Sequence, residues 1–258
     1  MKQLILLLAI TSMLIACKAQ VVGMQQHPSF TYELVTHNRF VIGGVVSATA
    51  PLDDVSRMRF SDLMGRVFIE EKPEMKIVRA GFLNRALGHE PFENMLDAYR
   101  ETGVIDAADA ALIRRVFPDV RYLMLAHIEQ DQVRQNHDQS ETDVADSKED
   151  AKKGDYDQVR VNVSMTTTRE MGATLTIYDL RQDVMAWTGY VSGSETNSND
   201  TSRTFNKDKR WKEELVDVFV DSLIGLNSGE YPAPPSQDKV LSNIFEGFAE
   251  NMPEPPKR

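Results

Sequence analysis

The chain of 258 residues is predicted to fold as an α/β (α+β) domain with a single mixed sheet, a C-terminal antiparallel meander and helices packed on the sheet. Two patterns predict this fold class. In the first half, short apolar runs that suit strands alternate with helical segments. In the second half, strand-like runs follow one another with a short turn, which favours an antiparallel meander.

The first half begins with Phe40–Val46, a β-rich run that suits a buried strand. Gly43 and Gly44 inside it indicate a bulge or close packing. Asp106 is a strong helix start, and Pro118 closes the helix that follows. The predicted strands cover 40–46, 75–79 and 121–128, and the predicted helices cover 55–69, 90–101 and 106–116, with a helical turn at 82–87.

The second half opens on alternating valines from Val159, the period of a half-buried strand. Two more strands are predicted over 173–180 and 184–191, and the clearest helix in the chain over 208–226. A last short helix carries an apolar stripe that either docks on the domain or grips a partner. The stripe consists of Leu241, Ile244, Phe245 and Phe248.

Three polar segments complete the predicted layout. Residues 17–38 are predicted to be a tether that precedes an α/β domain at 39–228. Within the domain, residues 136–157 are strongly acidic and are predicted to be a mobile, disordered insertion. Residues 229–258 are predicted to form a Pro-rich linker and the C-terminal amphipathic helix.

Cys17, the only cysteine, directly follows an apolar run that begins near Lys2. The run is too short for a membrane span and reads as a signal peptide over residues 1–16. Leu14, Ile15, Ala16 and Cys17 resemble the lipobox of bacterial lipoproteins, in which the cysteine receives a diacylglyceryl group and an N-acyl chain such as palmitate. Lys18 resembles the residue found in lipoproteins that are passed to the outer membrane. The alternative is an ordinary secretory signal with an incidental cysteine.

Charge and cysteine usage narrow the function classes. Loss of residues 1–16 removes one lysine and changes the formal charge from −10 to −11. Such an acidic chain is not built to bind nucleic acid or anionic lipid through bulk charge. With its sole thiol acylated, the chain can form no intrachain disulfide, so the domain depends on its core for stability.

The strand at Tyr122–Ala126, the run Leu175–Leu180 and the hairpin partner Met185–Trp187 follow one another in a distinctive order. This order resembles the lipoprotein domain shared by LpoB-type activators of penicillin-binding proteins and the curli secretion-channel lipoprotein. Asp179, Leu180 and Trp187 fall at the family's signature places. Two departures are Ala126, where glycine is common, and Arg181–Asp183, which replaces a glycine-bearing turn. Asp179 and Trp187 are interpreted as holding the hairpin and core in preference to contacting a ligand.

Motifs for catalysis or metal binding do not emerge from the sequence, and no catalytic residue, metal ligand or cofactor is predicted. The five histidines lack the spacing of metal sites. Ser236 and Lys239 match S-x-x-K without its companion motifs, and Ser236 is better placed as a helix N-cap.

The leading hypothesis is a non-enzymatic lipoprotein, anchored to the outer membrane through Cys17, whose domain faces the periplasm and binds a protein partner. By the resemblance, the partner is a penicillin-binding protein whose peptidoglycan synthesis it regulates; the oligomeric state stays open. Its binding face is either the polar stretch 192–204 or the last helix. The alternatives are a subunit of an outer-membrane secretion assembly, although the polar insertion does not suit a lipid-facing hairpin, and a periplasmic hydrolase with an unrecognised site.

Overall fold

A computed structural model describes residues 21–145, 158–206 and 231–256 of the chain. It confirms the predicted α/β class, because helices pack on one six-stranded mixed sheet. The strands are β1 (Val22–Gln26), β2 (Arg39–Ser47), β3 (Lys76–Val78), β4 (Val120–Val144), β5 (Gln158–Asp179) and β6 (Val184–Asn206). The helices are α1 (Tyr32–His37), α2 (Asp54–Glu71), α3 (Ala80–Leu87), α4 (His89–Thr102), α5 (Ala107–Val116) and α6 (Gln237–Glu250).

The strand order across the sheet is β1-β6-β5-β4-β2-β3. β2 pairs in parallel with β3 and with β4, whereas β1 pairs antiparallel with β6. Hydroxyl pairs join Thr176 to Thr188 and Thr168 to Thr196. Residue numbers therefore fall along β6 as they rise along β5, which is the antiparallel arrangement predicted for the meander.

The described residues divide into two compact units. The first contains residues up to 131, residues 171–193 and residues from 237 onward. The second contains residues 132–170 and 194–236.

The core of the first unit lies on both faces of its strands, because neighbouring residues of a strand point to opposite sides. Ile42 and Met124 belong to a buried cluster that includes residues of α2 and α6. Val41 and Leu123 belong to a second cluster, built with α4 and α5. The central strands are thus covered on both faces.

Two features fix β2 in this core. The Phe40 ring stacks on Tyr122 with centroids 4.7 Å apart. A Cβ at Gly43 would lie 2.6 Å from Cδ2 of Leu125 and 2.8 Å from Cδ1 of Leu123, so only glycine permits this close approach. The register also shifts between Ile42 and Gly44. Close packing, one of the two alternatives predicted for the glycine pair, is therefore observed at Gly43.

The helix start predicted at Asp106 is a side-chain cap, and Asp53, which the sequence analysis does not single out, caps α2 in the same way. Asp106 Oδ1 accepts a hydrogen bond of 2.7 Å from the Asp109 backbone N–H, and Asp53 Oδ1 accepts one of 2.6 Å from the Ser56 N–H. These carboxylates satisfy backbone donors that the first helical turn leaves without partners. The last helix is docked, because α6 packs against α2 and buries the predicted apolar stripe.

Two segments differ from the sequence prediction. Within the predicted tether, β1 and α1 are ordered elements, and Phe30 and Val35 are buried in the core. Within the predicted insertion 136–157, β4 continues to Val144. Its polar residues are held by pairing with β5; for example, Thr166 Oγ1 donates to the Asn136 carbonyl. Residues 146–157 lie outside the described residues.

The predicted helix over 208–226 also lies outside the described residues. In the ranges that the structure describes, no helix is long and apolar enough to cross a membrane.

Candidate functional site

Cys17 and the predicted lipobox residues Leu14, Ile15 and Ala16 lie outside the described residues, but the position of β1 limits the distance between Cys17 and the sheet. Val22 is five residues after Cys17 and is paired with Tyr190 of β6. A residue spans at most about 3.6 Å, so Cys17 lies within about 18 Å of the start of the sheet. The predicted tether of some twenty residues is therefore wrong, and the first unit is held close to the cysteine.

Asp179 closes the hairpin between β5 and β6 through its two carboxylate oxygens. Oδ1 accepts from the backbone N–H groups of Arg181 and Gln182, at 2.9 and 3.2 Å. Oδ2 accepts two hydrogen bonds from Arg121, at 2.9 Å from Nε and 2.7 Å from Nη2. The Asp179 side chain has no exposed surface and that of Arg121 is 11% exposed, so the pair is buried. The Asp179 hydrogen bonds raise the pKa of Arg121, which keeps its charge.

The same turn explains one departure from the family pattern. Asp183 has φ of 58°, in the left-handed region that favours glycine. Its N–H donates to the Asp179 carbonyl at 2.8 Å, and Asp is among the residues that tolerate this conformation. Arg181–Asp183 can thus replace a glycine-bearing turn.

Leu180 and Trp187 lie in the two core clusters of the first unit. Leu180 is held by its backbone as well, since its carbonyl accepts from Arg114 Nη1 at 2.7 Å. The Trp187 ring is fully buried and meets Phe248 of α6 edge-on, with centroids 6.1 Å apart. The three signature residues therefore contact protein, which places them in the turn and core.

The second unit carries a polar face. Part of this face lies in the predicted insertion 136–157, and part lies in the candidate binding stretch 192–204. Side chains hydrogen-bond across the strands, as in Ser164 Oγ to Asp200 Oδ1 at 2.6 Å and Asn162 Nδ2 to Ser140 Oγ at 3.4 Å. They line a hollow of about 350 Å³ whose walls carry hydroxyl, amide and carboxylate groups. We call this surface the polar strand face; it consists of Asp138, Gln139, Ser140, Asn162, Val163, Ser164, Asp200, Thr201 and Ser202.

The sequence predicts only one of the strands that form this face. Val159 and Val161 are buried with Phe205, and their alternation predicts β5. Residues 132–144 contain only two large apolar side chains, Val133 and Val144, so period-2 hydrophobicity could not identify them as a strand. One of the two predicted binding faces, residues 192–204, lies in β6 and is mostly exposed. The other, the stripe of the last helix, is buried and is unavailable.

Ser236 directly precedes the first residue of α6, at the position of an N-cap, and Lys239 lies one turn later. Among the described residues, no group of three or more His, Cys, Asp and Glu side chains is arranged to hold a metal ion.

His127 is a half-buried titratable group of β4. Burial lowers its pKa, with a smaller opposing effect of Glu129. Its ring meets Tyr99 edge-on at 6.1 Å, and Nε2 has no hydrogen-bond partner within the described ranges. Burial also raises the pKa of Tyr99, so this phenol stays neutral. Protonation of His127 would therefore place a positive charge on a ring that water solvates poorly.

We expect His127 to make the protein less stable in mild acid. Its pKa is lower in the folded state than the usual 6.5, so as pH falls through about 6.5 the unfolded state takes up more protons than the folded state. The stabilisation present above that pH is then lost. In urea denaturation between pH 7.5 and 5.5, the wild type should lose more free energy of unfolding than His127→Gln. Parallel pH curves for the two proteins would contradict this.

No family model and no curated protein matches the chain. Solved structures that resemble it include lipoprotein GNA1162 from Neisseria meningitidis, at 10% identity and a TM-score of 0.33, covering 73% of this chain and 99% of that one. The PelC dodecamer from Paraburkholderia phytofirmans aligns at 8% identity and a TM-score of 0.40, covering 92% and 99%. The hypothetical protein CT253 from Chlamydia trachomatis aligns at 11% and 0.33, covering 82% and 97%. All three TM-scores lie below 0.5.

Proposed function

We propose that this chain is an envelope lipoprotein, acylated on Cys17, that binds a protein partner and is not an enzyme. One observation carries the proposal: a lipobox cysteine stands five residues before a hydrogen-bonded strand of the α/β unit. Two or three acyl chains, at roughly 0.8 kcal/mol per buried CH₂, make such an anchor effectively permanent. The short connection then keeps the first unit at the membrane surface.

The buried Arg121–Asp179 pair favours binding over catalysis, because its polar groups are used to hold the fold together. The Asp179 carboxylate accepts four hydrogen bonds within the protein, from Arg121 and from the turn. The most prominent buried carboxylate is thus a structural group. The polar strand face, by contrast, offers hydroxyl, amide and carboxylate groups on a hollowed surface, and we assign the partner to it.

By the family resemblance, the partner is a periplasmic peptidoglycan synthase and the anchoring membrane is the outer one. A regulator of this kind acts by binding an active conformation more tightly than a resting one, which shifts the population of the synthase. Its effect requires differential affinity and no chemistry on the lipoprotein.

The first test concerns the anchor. We expect intact-mass spectrometry of the membrane-extracted protein to show a chain that begins at Cys17 with a diacylglyceryl and an N-acyl group. Cys17→Ala should carry neither group and should keep its signal peptide. An unmodified thiol at Cys17 in the wild-type protein would overturn the lipoprotein assignment.

The second test concerns the partner. Crosslinking in intact cells followed by pull-down should recover a peptidoglycan synthase, and Ser198→Arg, beside the polar strand face on β6, should reduce that yield severalfold. Ala111→Arg places the same charge on an exposed position of α5 and should not change the yield. Recovery of only further copies of this chain would contradict the synthase proposal and favour the secretion assembly.

A further inference from the structure

The strand β1 presents an apolar surface next to the anchor. Val22 is 60% exposed and Met24 is 50% exposed, and all five residues of β1 are exposed. Among the described residues, no atom lies within 4 Å of where a Cβ on Gly23 would be. In that part of the chain, nothing covers the surface from Val22 to Met24. We call it the β1 edge.

The β1 edge lacks the protection that terminal strands usually have. β1 lies at one end of the sheet, and an edge strand exposes unpaired backbone N–H and C=O groups. In most proteins, charged side chains on an edge strand prevent those groups from pairing with another chain. No charged side chain occurs from Ala19 to Gln26, although the chain as a whole is acidic. The strand at the opposite end, β3, starts with Lys76 and is followed by Arg79. The two ends of the sheet thus differ in charge.

The proposed lipid anchor at Cys17 lies just before β1 in the chain, which makes the membrane the surface that covers this edge. Cys17 lies within about 18 Å of Val22, and the headgroup layer on each side of the hydrocarbon is about 5 to 8 Å deep. The β1 edge is the first ordered element after the anchor, so it is the part of the sheet held nearest to the lipid. Peripheral segments place apolar side chains about 5 to 10 Å into this boundary, where headgroups also supply hydrogen-bond partners.

We propose that the β1 edge lies on the lipid bilayer, with Val22 and Met24 inserted in its interfacial region beside the acyl chains of Cys17. This inference rests on the proposed acylation and adds an orientation to it: the first unit stands on one end of its sheet. The lack of charge on the edge avoids repulsion from anionic headgroups. The acidic remainder of the domain is kept off the surface.

The experiment uses the acylated full-length chain in vesicles of phosphatidylethanolamine and phosphatidylglycerol. Since Cys17 is the only cysteine and its sulfur is acylated, a cysteine introduced by Met24→Cys can be labelled alone with a polarity-sensitive NBD dye. The control is Phe82→Cys, at a position that is 56% exposed. Phe82 lines a groove with Ile77 and Val78 of β3, at the opposite end of the sheet. Five strand spacings of about 4.8 Å put that end roughly 24 Å from β1.

We expect dibrominated phospholipids to quench the label at position 24 at least twofold and to leave the label at position 82 unchanged. Equal quenching at both positions, or none at position 24, in protein whose acylation is verified by mass spectrometry would overturn the proposed orientation. A third outcome is a blue shift of the emission at position 24 that increases with the number of protein molecules per vesicle, without quenching by dibrominated phospholipids. This outcome would also overturn the proposed orientation, because it would indicate that two β1 edges pair with each other. A bare Cys17 thiol in the same mass spectrum would instead remove the lipoprotein assignment itself.

Discussion

Asp179→Asn is expected to lower the free energy of unfolding by about 3–5 kcal/mol, the range observed when one partner of a buried ion pair is removed. The asparagine oxygen can still accept from the Arg181 and Gln182 N–H groups, so the turn keeps its acceptor. Its NH₂ group then replaces Oδ2 and faces the donors of Arg121. The charge of Arg121 is left without a partner at a side chain that is only 11% exposed. Urea denaturation at pH 7 measures the loss.

Asp119→Asn is the matched control, because it breaks an Arg–Asp pair that water reaches. The side chains of Arg39 and Asp119 are 47% and 54% exposed, and exposed pairs contribute about 0–1 kcal/mol. A loss at Asp179 no larger than the loss at Asp119 would contradict the account of the buried pair. The double variant Arg121→Met, Asp179→Asn should be less destabilised than the two single losses added, because it leaves no buried charge.

This pair gives a physical meaning to the resemblance found in the sequence. Asp179 was recognisable only as a signature position, and its partner Arg121 is 58 residues away at the start of β4. Local sequence patterns cannot announce such a contact, because it is created when β4 and β5 pair. The predicted role of Asp179 in holding the hairpin matches its hydrogen bonds to the turn and to Arg121.

The elements that could be predicted are those with strong local signals. Asp106 and Pro118 bracket α5, and the alternating valines of β5 show its buried face. The sequence prediction was wrong for segments that are ordered only because they pair with a neighbouring strand. Residues 136–144 are too polar to be a strand alone, yet they bond to β5 through groups such as Asn136 and Ser140. The five exposed residues of β1 carry no burial pattern, so the sequence does not distinguish this strand from a tether.

For the candidate site, the sequence predicts an anchor at Cys17, and the structure shows that the first paired strand begins five residues later. The lipobox is a local signal that needs no fold. The distance from Cys17 to the sheet depends on where the first strand pairs, and Gln25 and Gln26 pair with Thr188 and Trp187 through their backbones. Backbone pairing leaves no composition signal, so a connection of about twenty residues was predicted where five suffice.

Phe245→Ala is expected to destabilise the protein by about 3–5 kcal/mol, the usual loss on truncating a fully buried phenylalanine. The helix that carries it had two possible roles, docking on the domain or gripping a partner. Phe245 is 0% exposed within the cluster that joins α6 to α2 and the sheet. Docking is further fixed at the helix start, where Gln237 Nε2 donates to Asp131 Oδ2 at 2.7 Å and Asp238 lies 3.3 Å from Arg59.

Phe82→Ala is the control, since it removes the same ring from a position that is 56% exposed and should change stability by no more than about 0.5 kcal/mol. Thermal and urea denaturation of both variants decide between the two roles of the helix. If α6 is docked, its apolar side chains are used by the core, and a partner must bind elsewhere on the molecule. If Phe245→Ala is as mild as Phe82→Ala, the helix contributes little to the folded domain and its stripe becomes available for a partner. The polar strand face is the stronger candidate for partner binding because the stripe is already committed to Trp187 and the α2 helix.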